Sequence, residues 1–256
     1  MKKNECLFLI FLIVPSLCFT QYAHFIMGGR IEFEKSLNMF AILKKGYDPA
    51  IDVVSSDIYE QYRRTQPQFV KQKSTLLFSN TKTLFVPEVN DTRFSWGDKY
   101  PLTKQFNTVY TDLSKNISVT QKDVFGDLFL IRDSVRTINW KITDETREIA
   151  GYLCRRANAI ILDSVYVVAF YTIEIPVAGG PESFSGLPGM ILGVVLPHEN
   201  ITWFATSVTD NPALSTSITQ PQKGRLINWA ELFPVLLDIS KRKTIYGLSL
   251  TTVFRF

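Results

Sequence analysis

The stretch DSVYVVAFYTIEIP, Asp163–Pro176, constrains the fold more than any other. Val165, Val167, Ala169, Tyr171, Ile173 and Ile175 alternate onto one face of an extended chain, and Tyr166, Val168 and Phe170 on the opposite face are largely apolar too. A strand with one wet face alternates apolar with polar residues, whereas a strand covered on both faces does not. The segment therefore predicts a central strand of a sheet with both faces partly covered. The composition agrees, because 19 Phe, 10 Tyr and an apolar content of 46% favour strands and a broad apolar core.

Other strands are expected around it. Ile31 and Phe33 alternate with Glu32 and Glu34 in GGRIEFEKSLN. STLLFSNTKTLFVPEV reads as a hairpin turning at Ser79–Asn80, and VNDTRFSWGDKYPLTKQF as irregular and exposed. The run from Asn107 to Asp133 alternates in pieces, with turns at Ser114–Asn116 and Gly126–Asp127. TINWKITDETREIAGYLCRRANAIIL reads as a hairpin with TDETRE as its turn, and MILGVVLPHENITWFATSV as one turning at PHEN.

Two helices are predicted. Asp48 and Pro49 start one that carries Ile51, Val54, Ile58 and Tyr62 on one face and ends before Pro67. Asn228 and Glu231 form a capping box for a second, with Pro234 imposing a kink or late start. TIYGLSLTTVFRF reads as a closing strand. The expectation is a mainly β, β-rich α+β domain: a curved antiparallel sheet or half-barrel of roughly ten strands plus two helices. No internal repeat or linker divides residues 21–256.

The first twenty residues, MKKNECLFLIFLIVPSLCFT, have the basic start, short apolar run and small residues of a secretory leader cut after Thr20. A spanning helix needs about 20 apolar residues, more than this run provides. A lipoprotein reading at Cys18 meets Leu17 where a small residue is expected. No later segment could cross a bilayer as a helix. Cleavage would leave Cys154 as the one cysteine, more simply a buried small apolar residue than a reactive thiol.

Between the central strand and the next lies GGPESFSGLPGMI, Gly179–Ile191. Gly179, Gly180 and Pro181 form a turn or bulge. Phe184 and Leu187 serve as apolar pegs. Leu187–Pro188–Gly189–Met190 suits a type II turn, with Pro188 fixing the first central φ and Gly189 taking the positive second one. The segment reads as a crossover sealing one end of the core, or as a lip over an apolar cavity. A phosphate cradle would want a following Lys and a different glycine spacing.

GLPGMI, Gly186–Ile191, resembles the motif of the GLPGLI family, with Met190 in place of Leu. Trp140, Lys141, Ile142, Gly151, Tyr152, Cys154 and Ala157 match that family's Trp–Lys–Ile and Gly–Tyr–x–Cys pattern. Tyr171 and the Ile175–Pro176 step match its strand and turn, with Phe170 replacing a Trp. The resemblance covers most of residues 21–256 and is sharpest from Asn139 to Leu192. It implies an exported protein, in the periplasm or at the periphery of the outer membrane of a Gram-negative cell. It carries no chemistry.

The residues point to no catalytic or metal motif. HExxH, CxxC and GxSxG are absent, and no cofactor or metal is expected. A Cys154–His198 pair is open only if the fold brings the two together. Asp144, Glu145 and Glu148 read as solvated, and Arg155 and Arg156 as facing opposite sides of a strand. A net charge of +4 without a basic stripe gives no footprint for nucleic acid. The leading expectation is a non-enzymatic binder or carrier of an apolar small molecule or lipid. Alternatives are an accessory protein docking to an envelope partner, a small outer-membrane barrel ending at Phe256, and an enzyme of unknown class.

Overall fold

The computed structural model describes residues 25–45, 53–88, 103 and 106–242. In chain order its elements are β1 (Gly28–Asn38), α1 (Met39–Lys45), α2 (Val53–Thr65), β2 (Phe69–Ser79), β3 (Lys82–Pro87), β4 (Thr108–Asp112), β5 (Ile117–Val124) and β6 (Asp127–Asp133). There follow β7 (Lys141–Ile149), β8 (Tyr152–Ile161), β9 (Val165–Thr172), β10 (Met190–Leu196), β11 (Ile201–Asp210), a 3-10 turn (Pro212–Ser217), β12 (Arg225–Ile227) and α3 (Trp229–Arg242). All strands join one sheet in the order β12-β6-β5-β4-β3-β2-β1-β11-β10-β9-β8-β7. Every pairing is antiparallel except β12 along β6. The strands exceed the expected ten, and β9 lies inside the sheet between β8 and β10.

The sheet is open but strongly curved. Strands β4 and β8 are seven steps apart in it, about 33 Å on a flat sheet at about 4.8 Å per strand. Yet Val109 of β4 and Leu162 just after β8 line one cavity. The concave face carries Ile31, Phe33, Leu76, Phe85, Ala169, Val194 and Trp203, all buried. It is covered by α3, through Leu232 and Leu236, and by the segment joining β9 to β10. On the convex face Leu84, Tyr110, Val119 and Leu130 form a second cluster with Ile218. Ile218 belongs to the strap of chain that runs from β11 across this face to β12. Asn211 caps the 3-10 turn in that strap, its Oδ1 accepting the Ala213 N–H at 3.2 Å.

Local chemistry explains where the chain reverses. Asn80–Thr81 joins β2 to β3, with Ser79 pairing Lys82, one residue beyond the expected turn. Phe125–Gly126 and Ala150–Gly151 have φ of 56° and 97°, and of 51° and 84°. Both suit the primed turns that match strand twist. TDETRE is therefore not a turn. It forms part of β7, an edge strand with a register shift between Ile142 and Thr146, and charge and bulging are usual protections of a sheet edge. Its acids are exposed, as read, and two of them reach across the ladder: Asp144 pairs Arg155 at 3.4 Å, and Glu145 pairs Arg156 at 2.6 Å. The β10–β11 turn falls at Pro197–Asn200, as PHEN predicts.

The capping box of α3 forms as read. Asn228 Oδ1 accepts the Glu231 N–H at 2.9 Å, and Glu231 Oε2 accepts the Asn228 N–H at 3.3 Å. Pro234 lies inside α3, which runs on to Arg242, so no late start occurs. Helix α2 is present, and Tyr62 is buried edge-on to Phe40 of α1. Asp48, Pro49 and Ile51, nearly all of VNDTRFSWGDKYPLTKQF, the leader and TIYGLSLTTVFRF lie outside the described residues. Among the described residues no helix is long and apolar enough to cross a membrane.

Candidate functional site

Strand β9 ends at Thr172, sooner than the apolar alternation suggests, leaving Ile173 exposed while Ile175 turns back into the core. The chain then advances through three-residue turns. The N–H groups of Val177, Gly179 and Gly189 each donate to the carbonyl two residues back at 2.8 Å. Two of these turns centre on Pro176 and Pro188, whose ring-fixed φ suits an inverse γ-turn. Leu187–Gly189 is thus a γ-turn, and the expected type II turn does not form. Gly189 has φ of 158°, and an added Cβ would stand 2.1 Å from the Thr172 carbonyl oxygen. The glycine is required by close approach of two backbones.

The crossover is fastened along its length. Met190 N–H donates to Ile175 O at 2.9 Å, Ile191 N–H to Gly179 O at 2.9 Å, and Gly186 N–H to Ala178 O at 3.0 Å. Trp140 Nε1 donates to Ser185 O at 2.9 Å, tying the chain before β7 to the crossover. Gly180 packs where a Cβ would meet Ile191 Cβ and Phe184 O, each at 2.8 Å. Pro181, Phe184, Leu187 and Met190 are buried; Gly186, Pro188, Pro176 and Gly151 are exposed. Tyr171 is buried on β9, and Tyr152 is half-buried beside the β7–β8 turn. The two groups of motif residues therefore serve the crossover and the β7–β9 strands, respectively.

What the crossover delivers is Glu182. It is buried, and its Oε2 accepts Asn107 Nδ2 at 3.1 Å. Its charge acts on two buried lysines, Lys35 of β1 and Lys122 of β5. Those strands are four steps apart, so only the curvature lets one carboxylate attract both. Lys35 Nζ lies 5.1 Å from the Trp203 ring centroid, and Phe184 packs 6.0 Å from the same ring. Burial lowers the Lys35 ammonium below the usual lysine range, against the attraction of Glu182. Burial lowers Lys122 to about 7; Glu182 opposes this, while Lys35 and Arg136 add to it.

Beside this cluster, between α3 and the concave face of β4–β6, lies a cavity of about 280 Å³. Val109, Leu162, Trp229, Phe233 and Leu236 form apolar parts of its wall. Ser118, Thr120, Asp133, Ser134, Arg136 and Ser183 form the polar parts. Asp133 is already engaged, accepting the Ser134 N–H at 2.8 Å and the Trp229 N–H at 3.3 Å.

The other sequence candidates do not converge on chemistry. Cys154 is buried, and burial, with Glu174 nearby, pushes its thiol up to about 12. His198 sits in the β10–β11 turn, 6.4 Å from Tyr166, which pairs with Ile160. Ile160 is six residues along β8 from Cys154, about 20 Å of strand, so the two do not form a pair. No group of three metal-ligating side chains occurs among the described residues.

Sequence reasoning missed Lys35, Lys122, Glu182 and the cavity wall. A signal for Lys35 was present: it shares odd positions with Ile31, Phe33 and Leu37, the inward face of β1. Nothing local marks Glu182 as buried, because its neighbours come from distant strands.

The chain matches the family model described as "Protein of unknown function (Porph_ging)" over residues 161–193. That span holds β9, the crossover and the start of β10. No curated protein matches. Two solved structures share the fold: "Structure of PNGF-II in C2 space group" and "Structure of PNGF-II in P21 space group". Both superpose with a TM-score of 0.50, at 16% and 17% identity. They cover 79% and 82% of this chain but 31% and 33% of their own, so this chain spans about a third of their length. At such identity the likeness is one of fold alone.

Proposed function

We propose that the protein is a non-enzymatic binder or carrier of a small, largely apolar ligand, exported to the envelope of a Gram-negative cell as a member of the GLPGLI family. The observation that carries this is the cavity under α3. Its volume, about 280 Å³, is near the lower end of ligand pockets, about 300–1,000 Å³. At about 30 Å³ per water it has room for an occupant of roughly ten heavy atoms. Aromatic and aliphatic side chains from three parts of the fold meet in its wall, with polar groups on the sheet side to orient a guest.

Export is supported by the basic start and short apolar run of Met1–Thr20. The open sheet, with edges at β12 and β7 and a packed concave face, suits a globular carrier better than a spanning barrel, which closes its edges. An accessory docking role is a second reading, favoured by Leu153, Ile160 and Ile173, each at least 60% exposed.

Trp229 reports on the cavity directly. Titration with octanol is expected to shift its fluorescence saturably, and Phe233→Trp, which fills the space, to abolish the shift. A Trp229 signal indifferent to octanol, octanoate and octylamine would remove the carrier reading.

A further inference from the structure

We propose that the guest of this cavity is a neutral alcohol, its hydroxyl held by the side-chain hydroxyls of Thr120, Ser118 and Ser183. This rests on the reading of the cavity as a ligand site and adds the chemical class of the guest.

Thr120 lies within β5, paired with Val109 of β4 on one side and Ile131 of β6 on the other. It is only 6% exposed, and among the described residues its hydroxyl has no hydrogen-bond partner. Sealing a hydroxyl in a core without a partner is costly, yet those of Ser74 and Ser185 are so sealed. The Thr120 hydroxyl is not: it keeps contact with free space, and the space that Thr120 lines is the cavity. Ser118 stands two residues along the same strand, hence on the same face. Ser183 reaches the wall from the crossover. Neither serine hydroxyl has a partner among the described residues.

The sheet and the crossover thus bring unspent hydroxyls to one space. Each of them both donates and accepts, so the guest that matches them also does both, as an alcohol does. A carboxylate only accepts and an ammonium only donates, and either must give up a strongly held hydration shell. The charged side chains in the described wall do not call for a charged guest. Asp133 and Arg136 are of opposite sign, and both are engaged elsewhere: Asp133 accepts two backbone N–H groups, and Arg136 acts on Lys122 and has further partners. Val109, Phe233 and Leu236 supply apolar wall for the body of the guest.

The test compares isomers. Octanol and heptyl methyl ether have the same atoms and nearly the same hydrophobicity, and only octanol can donate a hydrogen bond. In isothermal calorimetry of the full chain near neutral pH, octanol is expected to bind about fivefold more tightly than the ether, the change that one added hydrogen bond supports. Octanoate is expected to bind more weakly than octanol. Thr120→Val keeps the shape of the wall and removes its deepest hydroxyl, so it should bring octanol down to the affinity of the ether and leave the ether unchanged. If that variant does not fold, the Ser118→Ala/Ser183→Ala double variant should narrow the same gap. A gap that survives these substitutions would overturn the assignment to these hydroxyls. Equal binding of octanol and ether, as a merely hydrated wall would give, or tighter binding of octanoate, would overturn the alcohol and leave the cavity reading standing. Absence of binding by all three would overturn both.

Discussion

Gly189 tolerates no side chain, because a Cβ there would lie 2.1 Å from a backbone oxygen of β9. Gly189→Ala is expected to destabilise the protein by about 2–4 kcal/mol, as other overpacked sites do. Gly186→Ala should cost about 1 kcal/mol, since its strain is limited to a positive φ with nothing nearer than 3.8 Å. Paired urea titrations check the order of the two. Cys154 should resist thiol reagents in the folded protein at pH 8 and react fully in denaturant, because burial withholds the thiolate. Lys122 sets a pH dependence. Its folded value of about 7 lies below its ordinary 10.5, so between these values the unfolded chain holds more protons. Stability should then rise with pH across that window, with a slope approaching about 1.4 kcal/mol per pH unit. Lys122→Met should flatten this rise in denaturation curves taken at several pH values.

At the scale of elements, the α3 capping box is reciprocal and exposed, so Asn228→Ala should cost about 1 kcal/mol, measured by thermal or urea unfolding. This box was legible because its chemistry is contained within four residues. So were β1, β9, the β10–β11 hairpin and the β-rich class, where alternation and turn residues lie close together in sequence. The β7–β8 hairpin was misread for a physical reason. TDETRE is polar enough for a turn, but its charges instead dress an edge strand and pair with Arg155 and Arg156 across the ladder. The reversal fell to Ala150–Gly151, where two positive φ values fit the twist. GLPG likewise announced a turn but not its type, since that depends on how closely β9 passes.

Across the whole molecule, the curvature and everything it gathers were beyond local patterns. Lys35, Lys122 and Glu182 come from β1, β5 and the crossover, and no sequence period records that they meet. The convex strap poses a related question of time. Strand β12 joins the sheet beside β6, seven places from β11, its predecessor in the chain. It can add its three parallel pairings only after β6 stands in the sheet and the strap has crossed the strands between. Closing such distant contacts is slow, and it comes after the local hairpins that need little loop entropy. Leu226→Ala and Ile227→Ala should therefore speed unfolding while leaving the refolding rate nearly unchanged in stopped-flow chevrons. A refolding rate that falls in step with stability would place β12 in the nucleus instead. The strap then acts as a late clasp, governing how long the native sheet persists more than how fast it assembles.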